Sequence, residues 1–208
     1  MMGKTKPILF NTEMVRVILA GRKTVTRRVI KGLPDCELFD LGENLDVCLG
    51  DDLESAKTCE GLWATFEPNG DYAFEFITVK APYQPGDILW VRETFAMVDG
   101  EYVYRADDET PEGWHQTAWR PSIHMPREAA RLFLQVKDVW VNRLRSITDE
   151  QAIAEGIPGG KNARARFGEI WDGTIKRADL PKYGWDANPW VWVIEFERVS
   201  KEEQGCKK

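Results

Sequence analysis

No apolar run in this chain of 208 residues approaches the length of a membrane span, and no basic-then-apolar leader opens it. A cytoplasmic protein with no membrane partner is therefore expected. Cysteine is sparse: Cys36, Cys48, Cys59 and Cys206 include no C-x-x-C pair, and reduced thiols are the expectation. A zinc site from Cys36, Cys48, Cys59 and one of His115 or His124 would match no common ligand spacing, so neither a metal nor a cofactor is expected. Internal repeats and low-complexity tracts are also absent. Hydrophobic residues make up 43% of the chain and charged residues 30%, in periodic patterns that argue against disorder. The length suits one domain, or one domain carrying a large insertion.

The net charge of −6 is unevenly spread. Residues 1–32 carry eight Lys and Arg against one acid, whereas residues 33–113 carry four against twenty. A basic N-terminal segment in an acidic protein suits a local anionic ligand better than broad coating of a duplex; the plainer alternative is a solvated charged face.

The pattern along the chain alternates between short helices and strands. "NTEMVRVILAG" reads as a helix: Asn11 or Thr12 caps it, Val15, Ile18 and Leu19 make its apolar stripe, and Gly21 is a left-handed stop. "KTVTRRVI" then alternates in period two and predicts a strand. Residues 32–81 read as an acidic insertion holding a hairpin around Asn69-Gly70. Residues 88–95, "EYVYRAD" and "RLFLQVKDVWVNRL" predict further strands, the last bent in its middle. The stretch 107–130 reads as a second insertion, a loop with short helical turns between Pro121 and Pro126. "SITDEQAIAEG" is a helix with a Thr148–Gln151 capping box and a stop at Gly156. "GGKNARARFGEIWDGTIK" continues as a helix with Phe167, Ile170 and Trp171 on one side, and "NPWVWVIEFERV" predicts a buried closing strand. The charged tail after Ser200 is expected to fray. The expected class is α+β, a small, partly closed mixed β-barrel decorated by short helices.

"ILAGRKTVTRR", "PGDILWVRE", "SITDEQAIAEG" and "WVWVIEFERV", in this order, resemble the ASCH domain family, whose fold is PUA-like. "PILFNTEMVRVILAGRKTVTRR" and "WRPSIHMPREAAR" look especially like the longer ASCH proteins of phages and prophages. The resemblance covers roughly residues 7–31, 82–106 and 131–198 of one domain, with the two insertions outside the minimal core. It implies handling of RNA, a nucleotide or a modified nucleoside. A compact bacterial branch of the family hydrolyses N(4)-acetylcytidine to cytidine with a Lys, a Thr and a Glu, which fall here on Lys23, Thr26 and Glu155. Other relatives bind or cleave RNA, so the resemblance leaves a non-catalytic reader and a ribonuclease open.

The residue types suit amide hydrolysis. A threonine hydroxyl needs an adjacent base, a lysine becomes one when burial or neighbouring cations lower its pKa, and a carboxyl group can protonate the leaving amine. Arg22, Arg27 and Arg28 are close enough in sequence to act on Lys23 in that way. In a regular strand positions 23 and 26 face opposite sides, so Lys23 and Thr26 converge only if the chain bends after Gly21. Glu155 would lie in the last turn of a helix, where the dipole disfavours an anion by about 0.3–1 kcal/mol unless a cation stands near. Further candidates for substrate contact are Arg22, Thr24 and Arg28 in the basic motif and Trp90 as a stacking surface, with Trp119 as an alternative. Ser122, His124 and Arg127 in the Pro-bracketed loop complete the set. For each there is a structural alternative: surface charge, packing or a local hydrogen bond. The acidic insertion favours a nucleoside, nucleotide or short single strand over a long polyanion.

Overall fold

In the computed structural model, residues 3–47, 57–69, 76–107 and 118–200 are described here. Five strands form the main sheet: β1 (Thr5–Leu9), β2 (Val25–Val29), β6 (Ile88–Arg92), β9 (Phe133–Arg143) and β10 (Trp190–Val199). Their spatial order is β1-β6-β9-β10-β2; β1 runs parallel to β6, and the other neighbours are antiparallel. The edge strands β1 and β2 share no register, so no closed barrel forms among the described residues. The chain is a β-rich α+β fold with several sheets and short helices.

Local sequence accounts for the helix that joins the two edges. Helix α1 (Thr12–Leu19) starts where the Asn11 side chain accepts from the Met14 amide, and buries Val15 and Ile18 in the main core. Gly21, at φ +70°, makes the left-handed exit that a side chain would resist. Strand β10 buries its centre on both faces, from Val191 to Ile194, as its continuous apolar run requires. Trp190 and Trp192 pack towards the same cluster. Where β9 is expected to bend, the β9–β10 register slips between Glu195 and Phe196 and leaves Lys137 unmatched in a bulge.

The inserted segment is more ordered than its pattern suggests. Strands β3 (Cys36–Val47) and β4 (Lys57–Pro68) pair along their length, and β5 (Ile77–Lys80) pairs with β4 from Trp63 to Phe66. Register shifts at Leu38/Asp40 and Glu43/Leu45 explain the weak periodicity, because each changes the phase of the alternation. Gly70 of the expected Asn69-Gly70 turn lies outside the described residues. Cys36, Ala64 and Phe66 belong to the same buried cluster as Leu89 and Trp192, so the inserted sheet packs into the main core.

A hairpin of β7 (Phe95–Val98) and β8 (Glu101–Tyr104) turns at Asp99 and Gly100, both with positive φ. In the second insertion, short 3-10 turns occupy Ser122–His124 and Arg127–Ala129, while residues 108–117, with His115, lie outside the described residues, as do Cys48, Cys206 and the tail after Ser200. Helices α2 (Asp149–Ala154), α3 (Ala163–Thr174) and α4 (Leu180–Tyr183) precede β10. Among the described residues, no helix is long and apolar enough to cross a membrane.

Candidate functional site

The bend anticipated after Gly21 is present. Residues 22–24 precede β2, and the amides of Arg22 and Lys23 donate to the Val17 carbonyl at the end of α1. The Thr24 amide donates to the Ala154 carbonyl (2.8 Å), which ties the corner to the end of α2. Lys23 is thus outside the strand's alternation, and it shares a cavity of about 560 Å³ with Thr26 and Glu155. The cavity also draws on Leu9 from edge strand β1, Arg28 and Val29 from edge strand β2, and Trp171 from α3. It occupies the opening where the two edges do not pair. There the Arg28 guanidinium bridges them, donating to the Leu9 carbonyl (2.8 Å).

Four polar residues of this region, Lys23, Thr26, Arg27 and Glu155, are each only 4% exposed. For the three charged ones, burial at that level requires partners. The Lys23 ammonium donates to Glu155 Oε2 (2.6 Å), to the Glu155 carbonyl (2.8 Å) and to the Val25 carbonyl (2.8 Å), which uses all three of its donors. Arg27 Nη1 donates to Glu155 Oε1 (3.0 Å), so each carboxylate oxygen faces its own cation. The two cations offset the unfavourable position of Glu155 at the C-cap of α2. Arg27 Nη2 donates to Gln151 Oε1 (3.0 Å), the atom that also closes the α2 capping box by accepting from the Thr148 amide.

Burial pushes the Lys23 pKa below its ordinary value; Glu155 opposes this shift, while Arg28 and Arg27 reinforce it. Two of the three arginines expected to act on the amine therefore do so. Arg22 is exposed and is not among these causes. Burial also pulls the Arg28 guanidinium below its usual range. Thr26 Oγ1 makes no hydrogen bond among the described residues, and Thr26 lines the same cavity as the ion pair.

The other expected contact residues are dispersed. Thr24 is exposed and joins the site through its backbone. Trp90 packs in a separate cluster with Phe95 and Met125, and Ser122, His124 and Arg127 lie on the 3-10 turns beside that cluster. None of these five lines the cavity. The aromatic walls are instead Phe10, Phe167 and Trp171. Phe10 lies 5.7 Å from Lys23 Nζ and 5.3 Å from Arg28 Cζ, measured to its ring centroid. Phe167 and Trp171 already stood out as one side of a helix; nothing in their spacing distinguishes a cavity wall from ordinary core. Gln151 was legible only as a capping residue. Cys36 is buried and unpaired, and among the described residues no group of three or more His, Cys, Asp or Glu is placed to hold a metal ion.

No family model and no curated protein matches this sequence. One solved structure, of the hypothetical protein PH0355, is similar over 94% of this chain and 99% of its own, with 14% identity and a TM-score of 0.40. A likeness that distant carries neither fold nor function, and the site stands on its own geometry.

Proposed function

We propose that this protein is an ASCH-type amidohydrolase with a PUA-like core, which deacylates a modified base such as that of N(4)-acetylcytidine. The observation that carries the reading is the convergence of Lys23, Thr26 and Glu155 on one cavity, from two segments about 130 residues apart. A cavity of about 560 Å³ is of the size that holds a nucleoside, and its mixture of aromatic walls with a few charged groups suits a flat polar base.

The chemistry follows from the hydrogen bonds. Along the 2.6 Å contact, one proton passes from the Lys23 ammonium to Glu155 Oε2 and leaves a neutral amine. Arg27 opposes this step by favouring the carboxylate, and exclusion of water favours it, because two neutral groups need less solvation than two ions. The amine then takes the Thr26 hydroxyl proton as Oγ1 bonds to the acyl carbon. The C–N bond breaks as Glu155 returns its proton to the leaving amine, which departs as the amino group of cytosine. Water hydrolyses the threonine ester and releases the acid. Arg27 favours the negative charge that develops on the acyl oxygen.

The test is acetate release from N(4)-acetylcytidine by purified protein. Thr26→Ala and Lys23→Met should each lose about 2–4 kcal/mol of barrier lowering, with circular dichroism showing a retained fold. Turnover unchanged in both variants would overturn the assignment. One feature favours a second reading, a non-catalytic reader of modified nucleotides: Lys23 already satisfies all its donors, as in a purely structural ion pair. A reader would bind the modified nucleoside and release no acetate.

A further inference from the structure

A second cavity, of about 330 Å³, adjoins the first and shares Arg28, Val29 and Lys31 with it. Its far side comes from Lys80, at the end of β5 in the inserted segment, and from Pro82 and Tyr83 just after that segment. Its floor is Trp192 of β10. Among the described residues, three basic side chains line it and no acidic one does. This is unexpected in a chain of net charge −6, and more so because Lys80 belongs to the stretch with twenty acids. Like charges gathered at a concave surface repel one another and focus a positive potential, which an anion relieves.

The donors suit a phosphate. Arg28 pairs with no carboxylate among the described residues, and of its five N–H groups one is committed, to the Leu9 carbonyl. Lys31 is exposed and likewise pairs with no carboxylate among them. Lys80 Nζ stands 5.0 Å from the Trp63 ring centroid, which steadies its chain along the inserted sheet. A planar guanidinium and two ammonium groups lining one cavity are the groups that grip a tetrahedral oxyanion.

We propose that this second cavity is a phosphate subsite, so that the substrate is a nucleotide or a short strand rather than a free nucleoside. The inference rests on the base occupying the first cavity. Arg28, at the border, would then hold the base's own phosphate while the reactive acyl group lies against Lys23 and Thr26. The inserted sheet supplies the third cation, which gives the insertion a part in substrate choice.

The test measures binding by calorimetry, so that it does not depend on turnover. Cytidine, cytidine 5′-monophosphate, cytidine 3′-monophosphate and the dinucleotide CpC are compared at low salt. At least one phosphorylated ligand should bind ten-fold or more tighter than cytidine, with a preference that shrinks as salt rises. Lys80→Glu should collapse that preference at least five-fold. Lys137→Glu, the same charge change at an exposed strand position paired with Glu197, should leave it unchanged. Preference for a monophosphate assigns the subsite to a terminal phosphate, and preference for CpC assigns it to a strand's phosphodiester. Equal affinity for all four ligands, no measurable binding by any, or a preference that survives Lys80→Glu would overturn the proposal. A phosphate preference without acetate release would keep the subsite and remove the hydrolase; acetate release without the preference would do the reverse.

Discussion

Lys23 carries the largest chemical demand, and its environment makes a definite pH dependence. Burial lowers its pKa, with Arg28 and Arg27 adding to the effect. Because Lys23 and Glu155 hold between them the one proton the reaction uses, turnover falls along a limb centred below the ordinary lysine value of 10.5, where that proton is lost. Lys23→Arg keeps a cation beside Glu155 but does not deprotonate in this range, so it should abolish turnover and the limb together. A pH–rate profile of the two proteins checks this, and an unaltered limb in the variant would assign it to another group. The same depression links to stability. The unfolded chain binds this proton more tightly, so the contribution of Lys23 is fully present above 10.5 and is lost as pH falls through its lower folded value. At this scale the candidate trio was legible, because an amine, a hydroxyl and a carboxylate are recognisable by type. In the sequence Arg27 is one charge among three. Its role as the second partner of Glu155 depends on a contact across 128 residues, which no local pattern encodes.

The elements hold the trio through their ends. Gly156 follows the Glu155 cap with φ +95°, and a Cβ there would meet Val17 Cγ2 at 2.8 Å and Lys23 Cβ at 3.3 Å. Gly156→Ala should therefore cost about 1–3 kcal/mol in urea denaturation and also reduce turnover, because relief of the clash moves Lys23. The capping box offers a paired comparison. Thr148→Ala removes a helix cap and should cost about 1 kcal/mol, with little effect on turnover. Gln151→Ala loses the box and the acceptor of Arg27 Nη2, so it should cost more and weaken turnover measurably. Equal effects from the two variants would mean that the Arg27 contact contributes nothing. Helix starts and stops were readable from Asn11, Gly21, Thr148 and Gly156, since caps act within four residues. The β3–β4 pairing was not, because its bulges break the alternation by which strands are recognised.

The molecule as a whole joins the inserted sheet to the main one. The Cys36 carbonyl accepts from Arg143 Nη2 (2.9 Å) and from Trp190 Nε1 (3.0 Å), and Phe66 packs against Trp190 with ring centroids 5.6 Å apart. Phe66 is fully buried, so Phe66→Ala should destabilise by about 3–5 kcal/mol. Because the cluster spans both sheets, unfolding should remain one transition, coincident by tryptophan fluorescence and circular dichroism. Two separate transitions would show that the insertion folds independently. No closed barrel forms among the described residues, and the opening between β1 and β2 is where the cavity lies. Closing those edges with a ladder of hydrogen bonds would fill the space the site uses.

The helices with their caps and stops, the strands outside the acidic insertion, and the chemical types of the candidate trio follow from the sequence itself, because they depend on neighbours a few residues apart. The pairing of Glu155 with two cations, the aromatic walls at Phe10, Phe167 and Trp171, and the cavity lined by Lys80 arise only in three dimensions. Each needs side chains from distant segments to be desolvated together, and desolvation is a property of the packed molecule that no stretch of sequence possesses alone.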